Sequence, residues 1–130
     1  MENQIQHYHN KLNFETDSFD LYTAITQQEN IALLDVRSAE AFEKEHISFA
    51  TSFPHRTMDP ATLSALDRQK MYVVYCDGIG CNGSTKGALK LAQHGFKVKE
   101  LTGGLEWWKR DGYPTSGILQ QKDSNEVCGC

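Results

Sequence analysis

Two cysteines stand in the segment Cys76-Asp77-Gly78-Ile79-Gly80-Cys81-Asn82-Gly83, between an apolar run and a helical pattern that opens at Ser84. The glycines at 78, 80 and 83 let the backbone turn successive amide N–H groups toward one point, and a helix starting at Ser84 would add the positive end of its dipole. Such a place holds an anion. A cysteine at its rim has its thiolate stabilised by the same donors, and the thiolate is the nucleophilic form. Strand, cysteine, glycine-rich loop and helix together point to chemistry in which sulfur acquires negative charge. Cys76 is the candidate nucleophile and Cys81 the alternative or resolving thiol. Asp77, Gly78, Ile79, Gly80, Cys81, Asn82, Gly83 and Ser84 form the candidate binding loop.

The plainer reading makes the glycines a long turn and Cys76 a small buried hydrophobe. Two cysteines within one glycine-rich turn that opens a helix weigh against it. Zinc ranks lower, because the Cys76/Cys81 spacing fits common zinc knuckles loosely and Cys128-Gly129-Cys130 is tighter than usual. No metal or cofactor is therefore expected. A dithiol-disulfide switch between Cys76 and Cys81 stays open.

The elements that must position this loop can be read from pattern. Met71 to Tyr75 is the clearest strand, rich in β-branched and aromatic residues, and it leads straight into Cys76. Ile31 to Val36 is a short apolar run suited to a strand buried on both faces, with Asp35 at its carboxyl end. Thr51 to Phe53 and Lys97 to Leu101 are further strands. Helices are expected around Phe19 to Ile25, capped by Asp17 or Ser18, and over Ala39 to Lys44. Another starts at Asp59-Pro60, one runs from a Ser84 cap to Gly95, and a short last one covers Leu105 to Arg110. Strands alternating with helices favour a parallel sheet covered on both faces, and ligands gather beyond the carboxyl ends of its strands. The loop after Tyr75 emerges at such an end.

A chain of 130 residues suits one domain. Thirteen Lys and Arg against seventeen Asp and Glu leave no basic block, so a nucleic-acid partner is not expected. No apolar run could span a bilayer and the start of the chain lacks a secretory pattern, so a cytoplasmic protein without a membrane partner is expected. The four cysteines cluster in the loop and at the chain end rather than as a distributed disulfide framework. The expected organisation is a polar, mobile leader at 1–14, a domain at 15–115, and a flexible tail at 116–130 carrying Cys128 and Cys130.

The order of motifs resembles the rhodanese homology family. Leu33-Leu34-Asp35-Val36-Arg37 is similar to its first motif, and Glu45-His46-Ile47-Ser48-Phe49-Ala50 with Phe53-Pro54 to its second. Tyr75-Cys76 with the loop and Ser84 resembles its active-site strand, loop and helix, and Thr102-Gly103-Gly104-Leu105-Glu106-Trp107-Trp108 its closing motif. The resemblance implies a three-layer α/β/α domain with a central parallel sheet, acting as a sulfurtransferase. Cys76 would take sulfane sulfur from a small donor, hold it as a persulfide, and pass it to a thiol or a protein acceptor. A non-enzymatic persulfide carrier is the first rival. A phosphatase or arsenate reductase ranks low, since Asn82 stands where oxyanion chemistry wants a guanidinium.

Departures from the family pattern sharpen the expectation. This loop is longer than the common sulfurtransferase loop, holds no Arg or Lys, and carries Asp77 where a cation is frequent. Binding of dianionic thiosulfate should be weak, and a persulfide donor should serve better. Asp35 and Arg37 are expected to pair as supporting residues rather than act in catalysis. His46 and His55 read as structural histidines, Lys86 as a solvated charge, and His7 and His9 as weak metal candidates in the leader. One of Trp107 and Trp108 should enter the core.

Overall fold

The computed structural model describes residues 1–119. Its central sheet has five parallel strands: β1 (Glu15–Thr16), β2 (Ile31–Asp35), β4 (Thr51–Ser52), β5 (Met71–Tyr75) and β6 (Lys97–Leu101), arranged β1-β6-β5-β2-β4. A small antiparallel pair joins β3 (His46–Ile47) to β7 (Thr115–Ser116). The helices are α1 (Glu2–Phe14), α2 (Ser18–Thr26), α3 (Ala39–Lys44), α4 (Pro60–Leu63), α5 (Gly83–Gln93) and α6 (Gly104–Arg110), with a 3-10 turn at His55–Thr57.

Alternation along the central strands divides the core into two layers. Leu33, Val73 and Tyr75 face one side, where Leu21 of α2 and Leu105 and Trp108 of α6 pack on them. Leu34, Tyr72 and Val74 face the other, against Leu63 of α4 and Leu91 of α5. Helices cover both faces, giving the expected three-layer α/β/α architecture. Each large side chain buried this way contributes about 1.5–3 kcal/mol, enough to fix strand register and so the position of the residue after Tyr75. Trp108 is fully buried and donates its indole N–H to the Pro114 carbonyl at 2.9 Å, while Trp107 stays partly exposed.

Local signals work as their chemistry requires. The Asp17 side chain accepts from the Asp20 amide at the start of α2, and Asp59 forms a capping box with Thr62 around Pro60. Gly95 takes a left-handed backbone, φ 85°, just past α5.

Both ends depart from the expected organisation. The leader at 1–14 is helical, although none of its residues is buried. Met1, Ile5, Tyr8 and Leu12 recur at helical spacing on it and all are exposed. The stripe adds no residue to the buried core, although α1 runs beside β1 and β6. At the other end, Ser116 belongs to the domain: it pairs with His46 in β7, and its hydroxyl lies 2.8 Å from that of Ser48. Gly117 also fits closely, since a Cβ there would stand 2.6 Å from the Lys44 carbonyl oxygen. Cys128 and Cys130 lie outside the described residues.

Candidate active site

Cys76 leaves β5 on a backbone held from two sides. Its carbonyl accepts from the Leu105 amide at 3.0 Å, and the Asp77 carbonyl accepts from the Glu106 amide at 2.9 Å. The first turn of α6 thus spends its otherwise unpaired amides on the two residues that open the loop. Gly104 permits this approach: its backbone is left-handed, φ 57°, and a Cβ there would overlap the Cys76 carbonyl oxygen. The Gly103-Gly104 motif is therefore a docking device for the cysteine.

Cys76 and Cys81 are joined by a disulfide, with Cα atoms 6.2 Å apart. Cys76 is buried, 5% exposed, and Cys81 is more open. The Cys81 amide donates to the Gly78 carbonyl at 3.2 Å, closing a tight turn that brings the second sulfur back over the first. The Gly83 amide, at the head of α5, points to Cys81 Sγ at 3.5 Å. The sequence allowed this bond, and the structure makes it.

The loop glycines act differently from the expectation. None of Gly78, Gly80 and Gly83 has a positive φ, so none is required for a left-handed turn. Gly83 serves space, since a Cβ there would stand 3.1 Å from Cys76 Sγ; a Cβ at Gly78 would stand 2.8 Å from Glu106 Oε2, the end of an exposed side chain that can swing aside. Gly80 has nothing within 4 Å of such an atom. Ser84, expected as the helix cap, already lies within α5, which starts at Gly83 after Asn82. Its hydroxyl donates to Glu100 Oε2 at 3.0 Å, joined by Thr85 at 2.9 Å, and so ties the helix to β6. Asn82 makes no side-chain cap bond; the Gly83 amide meets sulfur instead. Ile79 is largely exposed at the loop tip.

A polar network under the loop explains Asp35 and Arg37. Asp35 is fully buried and accepts from Arg37 Nη2 at 2.7 Å, from Arg37 Nε at 3.0 Å, and from the Tyr75 hydroxyl at 2.7 Å. Tyr75 in turn accepts from the Ile47 amide at 3.1 Å. Burial first, then the Asp35 charge, pushes the Tyr75 phenol far above its usual range and keeps it a donor. Arg37 also donates to the Glu45 carbonyl at 2.6 Å and to Asp77 at 2.9 Å. Burial opposes its charge, yet the bonds and charges of Asp35 and Asp77 raise its pKa still further. The expected pairing is present. Arg37 also reaches the loop and neutralises the Asp77 side chain.

The cleft beside the cysteines, about 330 Å³, is lined by Arg37, His55, Arg56, Cys76, Cys81 and Lys86 among others. The loop lacks cations of its own, but neighbouring elements supply them: Arg56 from the 3-10 turn and Lys86 from α5. Sequence reasoning missed Arg56, which the pairing of β2 with β4 and β5 brings to the loop; Lys86, in the first turn of α5, is the exposed charge expected and also lines the cleft. His55 faces the same field. Burial first, then Lys90, Lys86 and Arg56, lowers its pKa from 6.5. His46 is structural, with Nδ1 2.6 Å from the Phe42 carbonyl.

Ligand-type atoms of Cys76, Asp77 and Cys81 lie within 4.8 Å of one another. In this structure the two sulfurs are bonded to each other and Asp77 is held by Arg37. No helix among the described residues is long and apolar enough to cross a membrane.

A parallel sheet covered on both faces, with a cysteine loop at the carboxyl end of a central strand, defines the class of the protein. The family model for the rhodanese-like domain matches residues 18–111, and the chain belongs to that family. Thiosulfate sulfurtransferase GlpE of Coxiella burnetii is 35% identical over 94 residues, covering 71% of this chain and 83% of that protein. The uncharacterized protein slr1261 of Synechocystis sp. is 35% identical over 92 residues, 70% of this chain; the chain spans only 50% of that relative. Among solved structures, the BH2092 protein of Bacillus halodurans superposes with a TM-score of 0.85 at 42% identity, covering 91% of this chain and 87% of that one. The rhodanese-like domain of Anabaena sp. Alr3790 gives 0.72 at 30% identity, covering 83% and 82%.

Proposed function

We propose that the protein is a sulfurtransferase in which Cys76 carries sulfane sulfur as a persulfide and passes it to a thiol acceptor. The observation that carries this reading is the placement of Cys76: its backbone is fixed by β5 and α6 and its sulfur opens on a cleft with Arg56 and Lys86. The relative named thiosulfate sulfurtransferase supports the same chemistry.

The reduced Cys76 thiolate attacks the outer sulfur of a donor. The donor's sulfur-sulfur bond breaks, and its remainder leaves as a thiolate or, from thiosulfate, as sulfite. An acceptor thiolate then attacks the outer sulfur of the Cys76 persulfide and restores the Cys76 thiolate. Exposed Arg56 and Lys86 draw anionic donors toward the cleft, but such charges are screened and hold a dianion weakly. Arg37 adds little to that hold, because Asp35 and Asp77 already occupy it. A persulfide donor is therefore preferred over thiosulfate, and the acceptor is a small or protein thiol in the cytoplasm.

Intact-mass analysis tests this directly. The reduced protein is incubated with thiosulfate or glutathione persulfide at matched concentrations. One added sulfur atom, removed by dithiothreitol, is expected on Cys81→Ser, where the second thiol cannot displace it, and is missing from Cys76→Ser, with faster loading from the persulfide. Steady-state turnover with a small thiol separates an enzyme from a carrier. A second reading, a dithiol-disulfide switch, is favoured by the Cys76–Cys81 bond itself; it predicts reversible oxidation with no sulfur gained from either donor.

A further inference from the structure

We propose that Cys81 resolves the Cys76 persulfide, so that the protein also reduces sulfane sulfur and releases it as hydrosulfide. The proposal rests on the persulfide reading of Cys76 and gives Cys81 a catalytic role that simple sulfur transfer does not need.

The geometry distinguishes two kinds of attack. A thiol arriving from the cleft meets the outer sulfur of a persulfide first, because little of Cys76 is exposed behind it. Cys81 is different: its sulfur bonds to Cys76 Sγ itself, with β5 in register and the Cys76 carbonyl held by α6. The inner sulfur is thus within direct reach of a nucleophile that belongs to the loop, whereas one from solvent meets the outer sulfur first. Gly83 makes room for both sulfurs, since a Cβ there would lie 3.1 Å from Cys76 Sγ and 3.5 Å from Cys81 Sγ. The Gly83 amide, at the start of the 11-residue helix α5, donates to Cys81 Sγ and favours its thiolate. An intramolecular thiolate held this close has a large advantage over free thiols.

The steps balance. The Cys76 thiolate attacks the outer sulfur of a persulfide donor, expelling the donor thiolate and leaving Cys76–S–SH. The Cys81 thiolate attacks Cys76 Sγ; the Sγ–Sγ bond forms, the bond to the outer sulfur breaks, and HS⁻ leaves. The outer sulfur gains two electrons as the two cysteines are oxidised to the disulfide. A dithiol, or two monothiols, reduces that disulfide and resets the pair. Attack on the more open Cys81 sulfur releases Cys76 as the thiolate, ready for another donor.

A single-turnover experiment decides it. The reduced protein, free of other thiols, is mixed anaerobically with one equivalent of glutathione persulfide, then alkylated for peptide mapping while sulfide is assayed. Wild type is expected to release one equivalent of sulfide above the Cys76→Ser background and to acquire the Cys76–Cys81 disulfide in step. Cys81→Ser should accumulate persulfide on Cys76 and release sulfide about tenfold more slowly or worse. A stable Cys76 persulfide in wild type, without sulfide or disulfide, would overturn the resolving role and leave sulfur transfer standing. Sulfide released equally fast by Cys81→Ser would also overturn it. Failure of both wild type and Cys81→Ser to gain or release sulfur would remove both readings.

Discussion

Gly104 places its Cα where any side chain would collide with the carbonyl of Cys76, and the neighbouring Leu105 amide uses the space to bind that carbonyl. Gly104→Ala must escape both a left-handed backbone and a backbone overlap. A loss of about 1–3 kcal/mol or more is expected by chemical denaturation, with slower persulfide formation because the Cys76 backbone loses its anchor. Unchanged stability would mean that α6 can shift without cost.

Arg37 and Asp77 form a pair of unequal weight. Arg37→Met leaves the buried Asp35 carboxylate without its partner, and a cost of about 3–5 kcal/mol is expected. Lysine, lacking the planar fork, should rescue only part of it. Asp77, with its side chain 71% exposed, contributes little: Asp77→Asn should cost under about 1 kcal/mol. Denaturation midpoints of the three variants provide the comparison.

Two loop glycines offer a matched test of crowding. Gly83→Ala presses on Cys76 Sγ and should slow sulfur loading and disulfide formation while the helix start persists. Gly80→Ala meets open space at an ordinary φ and should be neutral or stabilising by about 0.4–1 kcal/mol. Stopped-flow loading with a persulfide donor, beside thermal unfolding, separates the two effects.

The pH response of His55 has a defined sign. Its folded pKa lies below the ordinary 6.5, so the unfolded chain binds more protons between the two values. The stability linked to His55 is present above pH 6.5 and is lost as the pH falls through the lowered folded value. An NMR titration should place His55 below 6.5, and Lys86→Gln should move it upward. A midpoint above 6.5 would contradict the cationic cleft.

Much of this fold is local and so was legible in the residues. The β5 run Met71–Tyr75, the Asp59-Pro60 helix start, and the cysteine-loop-helix order follow from short-range patterning and from the chemistry of individual side chains. Asp35 and Arg37 could be paired because a single residue, Val36, separates them. The α1 helix escaped notice because polar residues dominate the segment and mask the helical spacing of Ile5, Tyr8 and Leu12. The membership of Ser116 escaped because a two-residue strand is defined by its partner, His46, rather than by its own sequence.

At the site, composition alone identified two thiols in a glycine-rich turn and no cation among its residues. Only tertiary structure could decide that Arg37 holds Asp77, that Arg56 joins Lys86 at the cleft, and that Gly83 serves close approach rather than an unusual dihedral. It also decided that Cys81 lies over Cys76. The Arg37 and Arg56 placements depend on distances between segments far apart in the chain, and the loop's own closure depends on a backbone path that spacing does not specify. Strand pairing and helix docking set those distances, whereas spacing along the sequence sets only what a loop can reach.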